Sequence, residues 1–250
     1  MAQAASRILI VDDEADTCAN LSDIFCDMGY HVDTANDGLE ALQLIETNAR
    51  YDVALLDLRM PGMDGLELYR KIKQKSAGTV ALIVTAYASS PTAKSVIMAG
   101  ARKLVSKPVD IGYLLRLIEE AVDAPLVLVV DDDHDLCENL WDIFHELGLR
   151  VHLAYDVDDA SQTLQSCQFE LVLMDMKLPG GNERDVLKRV RETNPQARTL
   201  IITGYRDEME SRVQKALDEG ATAVAYKPFD MPSLLQTVSA LSRPVQGLPR

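Results

Sequence analysis

The chain repeats itself. Asp12-Asp13, Asp57, Thr85 and Lys107-Pro108 recur in the same order as Asp131-Asp132, Asp175, Thr203 and Lys227-Pro228, each about 120 positions later. That period is the size of one small domain, so the 250 residues are expected to build two domains with separate cores. The expected division is 1–123 for the first domain, 124–243 for the second, and 244–250 for a tail or linker. Only Asp123-Ala124-Pro125 lies between the last helical pattern of the first copy and the first apolar run of the second. So short a connection is expected to restrict independent tumbling.

Within each copy the hydrophobic pattern alternates between two kinds. Ile8 to Val11 is a continuous apolar run ended by acids, and a helical period follows through Leu21, Ile24, Phe25 and Met28 until Gly29 stops it. Val53 to Leu56 and Val80 to Val84 are further apolar runs without alternation, as expected of strands buried on both faces of a parallel sheet. Helical segments are expected around Gly38 to Thr47, Gly65 to Gln74, Thr92 to Ala99 and Ile111 to Val122. The second copy repeats the plan with strands at Leu126 to Val130, Leu171 to Met174, Thr199 to Ile202 and Ala223 to Ala225. Alternating strand and helix imply an α/β fold with a doubly wound parallel sheet in each copy.

Composition excludes several functions. The net charge is −14, with 12 basic against 18 acidic residues up to Asp123 and 13 against 21 beyond it. Neither half carries the basic stripe that a phosphate backbone requires, so no direct nucleic-acid binding is expected. Met1 to Arg7 lacks the apolar core of a signal peptide, and no apolar run reaches the length of a membrane span. The expected location is cytoplasmic, with no membrane partner. Cys18, Cys26, Cys137 and Cys167 show no CxxC spacing, which disfavours zinc and disulfides and leaves buried thiols as the expectation.

In a doubly wound sheet the loops after the strand C-termini form the binding crevice. Asp12 and Asp13 follow the first strand, Asp57 the third, Thr85 the fourth and Lys107 the fifth, so four loops are expected to deliver them to one pocket. Three carboxylates in close approach repel one another, which raises a pKa or demands a cation, and an all-oxygen set suits Mg²⁺ or Mn²⁺. One carboxylate can then attack phosphorus while the cation and the lysine neutralise the phosphoryl oxygens and the threonine hydroxyl hydrogen-bonds one of them. This is the chemistry of a phospho-acceptor aspartate.

The segments Ile10-Val11-Asp12-Asp13-Glu14, Leu56-Asp57-Leu58-Arg59-Met60-Pro61-Gly62-Met63-Asp64-Gly65, Val84-Thr85-Ala86 and Ser106-Lys107-Pro108 resemble the receiver domains of two-component response regulators. The resemblance covers nearly the whole chain in two copies. It implies two consecutive (βα)5 domains, each a five-stranded parallel sheet with helices on both faces. It implies that Asp57 is phosphorylated, that Asp13, Asp57 and the backbone carbonyl of Arg59 bind the metal directly, and that Asp12 acts through water. Thr85 and Lys107 would hold the phosphoryl oxygens, with Lys107-Pro108 cis. In the second copy Asp175 would be the acceptor, with Asp131, Asp132, Asp175 and the Lys177 carbonyl for the metal and Thr203 with Lys227 for the phosphoryl group. The implied donor is a sensor histidine kinase or histidine phosphotransfer protein, in a two-component or phosphorelay system. The chain would be a phosphorylated switch with an autocatalytic step rather than an enzyme, and relay intermediate, phosphate sink and truncated regulator all stay open. A partner or a homodimer through the fourth helix, fifth strand and fifth helix is a further expectation, on the face around Ile111, Leu114, Leu115 and Ile118, most of which must serve the core first.

The sequence departs from the family in places. Glu183 stands where the first copy has Gly65, so the turn and helix start are expected to differ there. The second domain is accordingly the one that could be a non-phosphorylated pseudo-receiver. Leu104 and Val224 replace the aromatic found in many receivers three residues before the lysine. Tyr87 and Tyr205 follow the threonines by two and are expected to carry the phosphorylation signal through their loops. Arg59 and Lys177, two after each acceptor, are expected to shield the acyl phosphate. They also disfavour a haloacid-dehalogenase-type phosphatase, which needs an acid at that place.

Overall fold

The computed structural model describes residues 6–47, 50–76, 78–179, 183–204 and 210–242. It divides into two compact units between Ala124 and Pro125. The first unit alternates strand and helix: β1 (Arg7–Val11), α1 (Ala15–Asp27), β2 (His31–Ala35), α2 (Gly38–Thr47), β3 (Val53–Leu56), α3 (Gly65–Lys75), β4 (Val80–Thr85), α4 (Pro91–Met98), β5 (Lys103–Ser106) and α5 (Ile111–Val122). The second unit does the same: β6 (Leu126–Val130), α6 (His134–Glu146), β7 (Arg150–Ala154), α7 (Val157–Ser166), β8 (Leu171–Asp175), α8 (Glu183–Thr193), β9 (Arg198–Thr203), α9 (Glu210–Asp218), β10 (Ala223–Tyr226) and α10 (Met231–Leu241). Each unit holds one parallel sheet, ordered β2-β1-β3-β4-β5 in the first and β7-β6-β8-β9-β10 in the second. The expected tail, 244–250, and Tyr205 lie outside the described residues.

The apolar runs form strands because both faces of the sheet are covered. In the first unit Leu9, Val11, Ala54, Leu56 and Ile83 pack with Ala41, Leu68, Ile72 and Val96 from α2, α3 and α4. The alternate positions Ile8, Ile10, Val53, Leu55 and Leu82 pack with Phe25 of α1 and with Leu114 and Ile118 of α5. Leu114 and Ile118 of that helix serve the core, as expected. Phe25 is fully buried, so Phe25→Ala would cost roughly 3–5 kcal/mol.

The strands β2 and β7 carry no continuous apolar run. Each lies at a sheet edge, where pairing on one side only relaxes the demand for apolar residues. Helix boundaries follow local chemistry. Gly29 takes φ +93° after α1. The carboxylate of Asp64 accepts from the Glu67 amide at 2.8 Å to start α3, and Ser90 with Pro91 starts α4.

The direction of chain progression reverses between β1 and β3, since β2 lies outward of β1 on one side and β4 outward of β3 on the other. A crevice opens there beyond the strand C-termini. The second unit has its equivalent between β6 and β8.

Candidate functional site

Asp12 and Asp13 leave the end of β1, Asp57 follows β3, Thr85 ends β4 and Lys107 follows β5. Ladder hydrogen bonds continue past the strand ends and fix these residues: Asp12 N–H to Ala35 O at 3.2 Å, Asp57 N–H to Val11 O at 2.8 Å and Lys107 N–H to Thr85 O at 3.0 Å. Lys107 Nζ donates to Asp12 Oδ2 at 2.6 Å and to Asp57 Oδ2 at 3.3 Å. Asp12, Asp57 and Thr85 are buried while Asp13 is exposed. The expected residues of the first copy thus meet in one crevice. The peptide bonds Lys107-Pro108 and Lys227-Pro228 are both cis.

The electrostatics follow from burial. Desolvation pushes the Asp12 carboxyl above its ordinary pKa, and the Lys107 hydrogen bond only partly opposes this. For Lys107 burial acts against the charge, but the hydrogen bond to Asp12 and the charges of Asp57 and Asp12 more than offset it, and its pKa is raised. The remaining oxygens are held by backbone: Glu14 N–H donates to Asp12 Oδ1 at 3.1 Å and Leu58 N–H to Asp57 Oδ1 at 2.6 Å. Thr85 Oγ1 accepts from the Tyr87 amide at 3.2 Å, which leaves its own hydrogen to donate elsewhere.

Gly65 brings α3 against the acceptor. A Cβ at this place would stand 2.3 Å from the Asp57 carbonyl oxygen, while the Gly65 N–H donates to Leu58 O at 3.1 Å. Arg59 follows Asp57 in the same loop, exposed, with its guanidinium over the Tyr87 ring.

The second copy is similar in composition and different in arrangement. Asp131 and Asp132 follow β6, Asp175 ends β8, Thr203 ends β9 and Lys227 follows β10. Lys227 Nζ donates to Asp131 Oδ2 at 2.7 Å and to Asp175 Oδ2 at 2.6 Å. Asp175 Oδ1 accepts from the Lys177 amide at 2.9 Å. Burial raises the Asp131 pKa as it does that of Asp12.

The fit to a hard divalent cation differs between the copies. One carboxylate oxygen from each of Asp12, Asp13 and Asp57 lies within 4.8 Å of the other two, and among the described residues this is the one such group. An all-carboxylate set with an exposed member suits Mg²⁺ or Mn²⁺ that keeps several waters. Asp131, Asp132 and Asp175 supply the same chemistry without that approach.

The sequence reading assigned the cysteines no role at the pocket. Cys18 Sγ donates to Asp12 O at 3.4 Å and Cys137 Sγ to Asp131 O at 3.3 Å, so each thiol satisfies the carbonyl of the first acid. The available signal was the shared spacing of six residues in both copies. The expectation of buried thiols holds for these two, whereas Cys26 is exposed and Cys167, packed at the margin of the second core, is half-buried. His134 stacks on Tyr155 with ring centres 3.8 Å apart. The first copy has Ala15 and Asn36 at those places and no such pair.

The model of the response regulator receiver domain matches this chain twice, over residues 8–119 and 127–239. A response regulator receiver protein of Anaeromyxobacter sp. (strain Fw109-5) is 32% identical over 237 residues, covering 95% of each chain. The regulatory protein AtoC of Escherichia coli (strain K12) is 37% identical over 119 residues, which cover 48% of this chain and 26% of that protein. A crystal structure of a CheY-like receiver domain from Methanospirillum hungatei JF-1 is 35% identical, with a TM-score of 0.46 over 48% of this chain and 95% of that one. The repeated acid, threonine and lysine pockets and both family matches agree: this chain belongs to the response regulator receiver family, as two receiver domains in tandem.

Proposed function

We propose that the chain is a phosphorylated switch in which Asp57 accepts a phosphoryl group from a phosphohistidine on a sensor kinase or histidine phosphotransfer protein. The observation that carries this reading is the convergence of Lys107 on Asp12 and Asp57 beside buried Thr85. An Asp57 oxygen bonds to phosphorus as the bond from phosphorus to the imidazole nitrogen breaks, and the neutral histidine leaves. Lys107, already charged and placed between the two acids, turns to the incoming phosphoryl oxygens without waiting for a proton. Thr85 donates its hydroxyl hydrogen to another of them.

Receiver domains in general bind Mg²⁺ at an acidic pocket, and here Asp12, Asp13, Asp57 and the Arg59 carbonyl would hold it. When bound, the ion neutralises charge on the phosphoryl group. Asp175, with Thr203 and Lys227, is the corresponding acceptor of the second copy. The chain modifies itself and turns over no other substrate in this reading. Ile97 and Met98 of α4 are exposed, which supports the α4–β5–α5 side of the first unit as the place where a partner or a second copy responds. Among the described residues no helix is long and apolar enough to cross a membrane.

Intact mass after incubation with acetyl phosphate and Mg²⁺ tests the proposal. Each phosphoryl group adds roughly 80 Da. Asp57→Ala should lose one addition, Asp175→Ala any other, and the double variant all. An unchanged gain in the double variant would overturn the assignment.

A further inference from the structure

We infer that the two pockets bind divalent cations unequally, the first tightly and the second weakly, and that the residue opening the third helix of each unit, Gly65 or Glu183, sets the difference. Gly65 lets α3 begin against the acceptor, since any Cβ there would meet the Asp57 carbonyl oxygen at 2.3 Å and the Leu58 Cα at 2.9 Å. Backbone atoms cannot step aside as a flexible side chain can. Glu183 stands at the corresponding place in the second copy, and its Cβ could not be accommodated in the geometry that Gly65 has.

The two acceptors are held differently. Asp57 falls just beyond β3, and its Oδ1 takes the amide of the next residue, Leu58, at 2.6 Å. Asp175 stays within β8, paired with Ile202, and its Oδ1 takes the amide of Lys177 instead, at 2.9 Å. Its Oδ2 lies 2.6 Å from Lys227, against 3.3 Å for Asp57 and Lys107. In both units each acceptor has both oxygens engaged and the lysine bridges it to the first acid, so the pockets differ in how closely the lysine holds the acceptor and in where the second acid stands. Asp132 does not join Asp131 and Asp175 within the 4.8 Å that gathers Asp12, Asp13 and Asp57.

A divalent ion entering the second pocket must loosen the shorter Lys227–Asp175 contact and draw Asp132 inward, whereas Asp13 already stands beside Asp12 and Asp57. Weakening that charge-assisted contact and moving one carboxylate lowers affinity by about tenfold. Over a range of Mg²⁺ concentrations the first unit is then loaded while the second is not. Taken with the proposed function, on which this consequence rests, Asp57 is phosphorylated first at limiting Mg²⁺.

The test is a Mn²⁺ titration of the full chain, with free Mn²⁺ read by electron paramagnetic resonance. Wild type should show two classes of site separated by about tenfold. Asp13→Asn should remove the tighter class and Asp132→Asn the weaker. Glu183→Gly should tighten the weaker class, and Gly65→Ala should weaken the tighter one. Circular dichroism melts show whether each variant folds, and the two Asp→Asn variants keep the inference testable if Gly65→Ala does not. A single class lost in Asp13→Asn also supports unequal pockets. Two equal classes in wild type, or loss of the tighter class in Asp132→Asn, would overturn the inference. Unequal Mn²⁺ binding without any mass gain from acetyl phosphate would instead sink the phospho-acceptor reading and leave this one standing.

Discussion

The guanidinium carbon of Arg59 lies 3.7 Å from the centre of the Tyr87 ring. This contact joins the loop after β3, which carries Asp57, to the loop after β4, where the Tyr87 amide also bonds Thr85. Tyr87 is 46% exposed, so the stack lies at the solvent boundary of the two loops, and the proposed shielding of an acyl phosphate requires it to stay closed. A cation–π contact at an exposed site contributes about 0.5–1 kcal/mol, a factor of up to about five in a rate that requires it to open. Arg59→Ala and Tyr87→Ala should each shorten the phosphoryl half-life by about that factor. The loss of phosphoprotein followed by intact mass decides it, and unchanged half-lives in both variants would exclude shielding. If Tyr87 also carries the signal, its alanine variant alone should lose phosphorylation-dependent association.

Asp12→Asn should stabilise the protein at neutral pH while weakening Mn²⁺ binding. Burial raises the Asp12 pKa above 3.8, so the folded state holds the proton more tightly than the unfolded chain. The contribution of this group to stability is complete below the unfolded value and is lost as pH rises through the folded one. By neutral pH the ionised carboxylate is a cost that asparagine removes, roughly 1 kcal/mol by comparison with other relieved functional sites. Melting curves across pH should show the gain shrinking as pH falls through the acidic range. A variant that melts below wild type at pH 7 would count against this account.

The thiols should divide by environment. Burial first, and the charge of Asp12 next, push Cys18 up to about 11; burial and Asp131 push Cys137 up to about 12. At pH 8 their thiolate fraction is on the order of a thousandth or less. A disulfide reagent should therefore modify exposed Cys26 readily and Cys18 and Cys137 only after denaturant is added. Fast labelling of all four in the native state would contradict the burial of the two pocket thiols.

Much of the fold was legible because its signals are local. The runs at Ile8, Val53, Val80 and Leu126 read as strands since both sheet faces are covered, and Gly29 ended α1 where a left-handed residue was needed. The edge strands β2 and β7 were not legible by the same test, because an edge does not require a continuous apolar run. At the site, Asp12, Asp57, Thr85 and Lys107 were readable from their places after strands. Cys18 was not, because its thiol reaches the Asp12 carbonyl only once α1 folds back over β1.

The sequence by itself determined that there are two domains, that each is a parallel α/β sheet, and which acids, threonine and lysine stand at each crevice. Those properties depend on periodicity and on residues that follow strands, and both are written in neighbouring positions. Only the tertiary structure decided how the carboxylates approach one another: Asp13 joins Asp12 and Asp57, Asp132 does not join Asp131 and Asp175 in that way, and in both units a lysine bridges the other two acids. Those approaches depend on side chains delivered by strands nearly a hundred residues apart and, in the first unit, on how closely α3 lies to the Asp57 carbonyl, which neighbouring positions do not record.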